Sequence, residues 1–179
     1  MAGRILIFDL ETQRLAQEVG GWGHVDRLGL AAAVALDAQT GDVLRFAEAD
    51  APALIEQLNN AELVVGYNLL RFDYPVLRPY GFDPANVFDR TIDLLDHLYR
   101  SLGFRVSLDN VANATLGEHK SADGLAAVSW YRQGLIDRVF EYCEQDVRVT
   151  GRVWEHGRVK RQVRFRDKDF RLREVPVAW

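Results

Sequence analysis

Apolar and polar positions follow one another along the chain in patterns that predict a series of elements. Residues 4 to 8, RILIF, form a short apolar run that predicts a buried first strand, and the run leads straight into Asp9. The stretch GLAAAVALDAQTGDVLRFAEAD predicts a hairpin, with a turn across Asp37 to Asp42 that carries Gly41 and a second strand near Val43 to Ala47. Asp50 is placed to cap a helix from about Pro52, whose Leu54, Ile55 and Leu58 share one face. ELVVGYN then reads as a short buried strand ending in a glycine and an amide. LLRFDYPVLRPYGF reads as a short helix disturbed at Pro75 and stopped near Pro79 and Gly81.

Helical patterns dominate the second half. TIDLLDHLYRSLGF and SLDNVANATLG predict helices closed by glycines, and SADGLAAVSWYRQG predicts another behind a Ser121 cap. The clearest helix runs from Leu135 to about His156, where Ile136, Val139, Phe140, Cys143, Val147, Thr150 and Val153 or Trp154 recur at helical spacing. RVKRQVRFRDKDFRLREVPVAW alternates as a terminal hairpin does. Strands first and helices later, around a central sheet, describe an α/β domain.

Composition narrows this picture. The chain has 179 residues, 48% of them hydrophobic, which suffices for one core without cross-links. No repeat or linker marks an internal boundary. The lone Cys143 allows no intrachain disulfide and fits a reducing compartment, and no Cys/His spacing suggests zinc. The first apolar run is too short for a signal peptide and no stretch approaches a membrane span, so a cytoplasmic protein without membrane attachment is expected. Net charge is -4, yet residues 158 to 173 carry eight Lys or Arg against two Asp, so this segment is +6 and the remainder -10. A basic patch on an acidic body suits a polyanionic ligand; a solvated strand pair with alternating charges explains it as well.

Three short patterns carry candidate chemistry. Asp9 and Glu11, two positions apart on a strand, point to the same face. Like charges held together raise the free energy of the protein unless a cation neutralises them, and hard divalent ions with oxygen ligands are the candidates. Alone, the pattern equally describes a strand ending at solvent. Asn68 leaves a buried strand and is followed by Phe72 and Asp73, an arrangement that can turn the carboxylate back across the sheet end, or leave it solvated on an amphipathic helix. On the strongest helix, Tyr142 and Asp146 are four apart and overlap the apolar stripe, so Asp146 faces inward and needs a partner. A tyrosine at the core margin beside a surface acid is the plain alternative.

In this order and on these elements, FDLET, NLLRFD and YCEQD resemble the three motifs of the DEDD superfamily of 3'-5' exonucleases, tyrosine subgroup, which includes the proofreading domains of family B DNA polymerases. DLETQRLAQEVGGW, LVVGYNLLRFDYPVL and TLGEHKSADGLAAVSWYRQG further resemble bacterial RNase H-like domains found beside helicases. The histidine subgroup would need His at position 141, which is Glu141. The resemblance implies an RNase H-like fold with a mixed central sheet flanked by helices over residues 1 to 157, and a basic C-terminal hairpin over 158 to 179 packed on the same domain. It implies two divalent ions, Mg²⁺ or Mn²⁺: Asp9, Glu11 and Asp146 would bind one, with Asp9 shared by a second that Asp73 helps hold, mostly through water. Tyr142 would orient the attacking water. The substrate would be the 3' end of single-stranded DNA or RNA, a helicase or repair protein a possible partner, and the chain a monomer.

Other residues offer substrate contacts with an ordinary explanation beside each. Leu10 and Thr12 flank Glu11, and Asn68 opens the second motif. Trp22, on a glycine-rich loop, can stack a base or plug the loop onto the body. Lys120 can reach a phosphate or sit in solvent. Asp93 reads as a strand end near the site or as a helix cap, and none of the four histidines shows ligand spacing. Two other functions share these features: a nucleic-acid-binding or helicase-associated module with little turnover, and an RNase H-like endonuclease.

Overall fold

The computed structural model describes residues 3–118 and 124–179. The first strand, β1 (Ile5–Thr12), extends beyond its apolar run, so Asp9 and Glu11 lie within it rather than after it. It pairs antiparallel with β2 (Leu30–Asp37), which pairs antiparallel with β3 (Val43–Ala47), the expected hairpin. Helix α1 (Ala51–Asn60) carries the chain to β4 (Leu63–Gly66), parallel to β1. Asp50 precedes α1 but does not cap it; its carboxylate accepts from the Ala47 amide at 3.0 Å.

A π-helical turn over Leu69–Asp73 then leads into the short α2 (Tyr74–Leu77). TIDLLDHLYRSLGF is not helical throughout: Thr91–Asp93 form β5, parallel to β4, before α3 (Leu94–Leu102) begins. Three residues are too few for a strand periodicity to register, and only pairing with β4 makes them one. The sheet order β3-β2-β1-β4-β5 is mixed and puts β1 at its centre.

The two faces of β1 decide where the chemistry sits. Leu6, Phe8 and Leu10 enter one core with Leu54 and Leu58 of α1 and Tyr74 and Leu77 of α2. Ile7 enters the opposite core with Leu98 of α3, Val111 of α4 (Leu108–Leu116) and Cys143 and Val147 of α6 (Ile136–Lys160). Asp9 and Glu11 share the Ile7 face by strand alternation, and therefore look toward α6. Small residues bring that helix close. Ala31 and Ala32 of β2 are buried beside Val139 and Tyr142, and a methyl added at Gly151 would stand 3.5 Å from Ile7. Helix α5 (Gly124–Arg132) closes this corner through Ala127.

Helix α6 continues to Lys160, past the expected end near His156, and Arg161 in the left-handed conformation turns the chain into β6 (Gln162–Arg166) and β7 (Leu172–Pro176). Val163, Phe165, Val175 and Val177 bury one side of this hairpin in the α4 and α6 core. The free edge of β6 is satisfied by α4 side chains. Asn110 Nδ2 donates to the Arg166 carbonyl (2.9 Å) and Asn110 Oδ1 accepts from the Arg166 amide (2.7 Å). Thr115 Oγ1 serves Arg164 in the same two ways, at 3.0 and 2.9 Å. An exposed strand edge is an aggregation hazard, and here a helix covers it. Among the described residues no helix is long and apolar enough to cross a membrane.

Candidate metal centre

Parallel β1, β4 and β5 direct their carboxyl ends the same way, and the candidate residues gather there. On β1 the register with β2 slips between Glu11 and Thr12, a bulge of the kind that re-aims side chains beside active sites. Helix α6 crosses this end and presents Tyr142, Cys143 and Asp146 from successive turns. One carboxylate oxygen each from Asp9, Glu11 and Asp146 lies within 4.8 Å of the others, and Glu11 and Asp146 are buried. Three acidic groups at that separation, all oxygen donors and no thiolate or imidazole among them, fit a hard divalent ion.

Asp73, expected to help hold a second ion mostly through water, is not one of the three acids that lie within 4.8 Å of one another. Its ligand atoms fall outside the cluster, and its carboxyl is fully buried. Because β4 leaves the sheet after Gly66, the Leu10 amide of β1 has no strand partner on that side, and Asp73 Oδ1 accepts from it at 3.1 Å. Oδ2 is buried with no hydrogen-bond partner among the described residues, an acceptor left for a group the protein itself does not supply. Burial, and then the charge of Asp93, push the Asp73 carboxyl well above the usual carboxylate range.

Sequence reasoning assigned Cys143 no part in this arrangement. Its thiol is fully buried and donates to the Asp9 carbonyl at 3.3 Å. Burial raises its pKa most, followed by the charges of Asp9, Glu11, Asp146 and Asp73. The thiol stays protonated and acts as a small filler with a weak donor. Its position between Tyr142 and Asp146 was the available signal. The Tyr142 ring is buried against Ala31, Ala32 and Val139, with the Trp130 ring edge-on at 6.0 Å.

The remaining candidates divide. Leu10 cannot offer its side chain to a substrate, since it lies in the core on the opposite face; its contribution is the amide that anchors Asp73. Thr12 is buried and its hydroxyl donates to the Arg14 carbonyl at 3.0 Å. Asn68 stands at the strand exit in a left-handed conformation, and its Oδ1 accepts from Arg105 at 2.9 Å, a partner the sequence pattern did not mark. Trp22 is 73% exposed, with its ring 6.4 Å from that of Phe72, so it does not plug a core. Asp93 is a cap: it accepts from the Leu95 and Asp96 amides of α3 and also from those of Asn68 and Leu70, tying the β4 exit to that helix. Lys120 and the Ser121 cap lie outside the described residues.

No curated protein matches the chain at a significant level. A protein-family model described as the RNase_H superfamily matches residues 6–157, which begin in β1 and end in the last turns of α6, and so span both the strand and the helix of the acidic cluster. The mixed sheet, the central acidic strand and the match over most of the chain agree, and the chain belongs to the RNase H superfamily.

Proposed function

We propose that this RNase H superfamily domain is a metal-dependent 3'-5' exonuclease acting on single-stranded DNA or RNA. The observation that carries the reading is the convergence of Asp9, Glu11 and Asp146 within 4.8 Å, with Tyr142 one helical turn before Asp146. A nucleic-acid binder has no use for carboxylates that repel phosphate, whereas a hydrolase that recruits cations needs them. Divalent ions, Mg²⁺ or Mn²⁺, when bound there, supply Lewis acidity toward the phosphodiester.

The chain's own residues do the rest. Asp9, Glu11 and Asp146 would hold the cations, and Asp73, pinned by the Leu10 amide, has one oxygen left over to support them through water. The Tyr142 hydroxyl orients the attacking water, and its buried ring fixes the position of that hydroxyl. The leading test uses matched DNA and RNA oligonucleotides labelled at the 5' end, with Mg²⁺, Mn²⁺ or chelator. Ladders that shorten from the 3' end only with metal, and vanish in Asp9→Asn, are expected. Intact substrate under all conditions, from folded protein, refutes the hydrolase; cutting of a circular strand refutes the exonuclease in favour of an endonuclease.

A further inference from the structure

The C-terminal hairpin holds its loop in a conformation its sequence does not favour. In the connection Asp167-Lys168-Asp169-Phe170-Arg171, the Phe170 amide donates to the Asp167 carbonyl at 2.9 Å and the Asp167 amide to the Arg171 carbonyl at 3.0 Å. This closes a tight turn with Phe170 at φ 60°, in the left-handed region. Glycine or asparagine normally occupies such a position, since the Cβ of a bulky side chain crowds the backbone there. The aromatic gains no burial in return: Phe170 is 81% exposed, the most exposed of the large apolar side chains among the described residues. An aromatic that is strained and unburied in the free protein is placed for a ligand rather than for the fold.

Its surroundings indicate which ligand. Between this loop and the segment that joins α3 to α4 lies an open groove of about 780 Å³ whose charged lining is Arg105, Arg166, Lys168 and Arg173 against Asp167 and Asp169. Asp167 pairs with Arg173 at 2.8 Å, which leaves Arg105, Arg166 and Lys168 against Asp169, so the groove has a positive surplus on a chain that is negative overall. Phe104 stands half exposed in its wall, set edge-on to Phe165, and Phe170 follows the lining residue Asp169 on the bordering loop without itself lining the groove. Cations interleaved with unburied rings suit a polyanion with stackable bases.

The start of α4 stands between the groove and the acidic cluster. Ser107 and Asn110, at the start of α4, line the groove, while Leu108 and Asp109 of the same turn line a small cleft that reaches Asp146. On the other side Arg105, in the groove, is bonded to Asn68 at the exit of β4. We propose that the hairpin is a grip for single-stranded nucleic acid: Phe170 and Phe104 stack bases, and Arg105, Arg166, Lys168 and Arg173 hold phosphates of the strand whose end lies at the metal centre. The inference rests on the nuclease reading for its direction, and extends it by giving the domain a footprint of several nucleotides beyond the reacting one.

The turn geometry supplies a clean test. Phe170→Gly removes the ring and relieves the left-handed strain, so the variant melts at or above the wild-type temperature and any lost affinity is not lost folding. Anisotropy is measured with chelator present, on labelled single strands of about 4 and about 12 nucleotides, a range that brackets one binding fold's site size. The wild type binds the longer strand more tightly. Phe170→Gly weakens that binding about tenfold, the scale of one lost base stack. Lys168→Ala weakens it and reduces the slope of log affinity against log salt by about 0.7, the value for one phosphate contact on a single strand. Equal affinity for the two lengths, or a Phe170→Gly variant that binds the longer strand as the wild type does, overturns the grip; the second result is the one expected if the ring serves a protein partner. Binding is read without cleavage. Loss of the exonuclease reading with the grip intact, and loss of the grip with the nuclease intact, are therefore separate results.

Discussion

Replacing Asp73 by asparagine tests the electrostatics of the site in the metal-free protein. The carboxyl is fully buried, accepts one amide hydrogen bond and has a second oxygen without a partner, so its charged form is strongly disfavoured. Below its ordinary value of 3.8 the group is protonated in folded and unfolded chains alike, and its titration contributes no pH dependence. Above 3.8 the unfolded chain releases the proton while the folded one keeps it. The folded state then binds more protons, and unfolding free energy falls by about 1.4 kcal/mol per pH unit until the raised folded value is passed. For a domain of this size that is roughly 3–5 °C of melting temperature per unit. The substituted amide cannot titrate, and its oxygen retains the bond from the Leu10 amide. The assay is thermal melting of both proteins in chelator from about pH 4 to about pH 8, a window set by the raised carboxyl and read as the difference in stability. Asp93, whose carboxyl burial also raises and whose charge acts on Asp73, is present in both proteins, so the difference reads Asp73 together with its interaction with Asp93. We expect Asp73→Asn to gain on the wild type as pH rises and then to level off. A difference that stays flat, or runs the other way, refutes the reasoning.

Other substitutions probe other links. Tyr142→Phe keeps the ring packed against Trp130 and is expected to melt like the wild type while cleavage falls roughly 10²-fold, the scale of removing one positioned polar group; unchanged single-turnover rates would remove Tyr142 from the mechanism. Mn²⁺ should raise the melting temperature of the wild type by mass action, and Asp146→Asn should lose most of that shift in differential scanning fluorimetry. Gly66→Ala would put a methyl 2.5 Å from Leu69, a fully buried residue at the start of the turn that carries Asp73. Overpacking there should cost about 1–3 kcal/mol in denaturant melts and lower cleavage with it. Asn110→Ala strips the β6 edge of both its bonds at Arg166 and should cost about 1–2 kcal/mol, read as a shifted urea midpoint.

Much of this was legible in the residues. The β2–β3 hairpin, α1, the long helix and the terminal hairpin announce themselves by periodicity and turn residues, and the pairing of Tyr142 with Asp146 follows from helix geometry alone. β5 was not legible, because three residues become a strand only beside β4. The role of Leu10 was not legible either: its side chain is ordinary core, and what matters is an amide left unpaired by the early end of β4. Arg105 joins Asn68 across 37 positions, and the strain at Phe170 is a property of the turn's closure, which a pattern of alternating residues does not encode.

By itself, the sequence determined which face of β1 carries Asp9 and Glu11 and which stripe of α6 carries Asp146, since those are matters of local period. Only the tertiary structure decided that the two meet within 4.8 Å, and that Asp73 is a buried acid holding the Leu10 amide. The physical reason is that local periods fix directions along an element. Distances between elements depend on which strands pair and on how closely small residues such as Ala31, Ala32 and Gly151 let α6 approach the sheet.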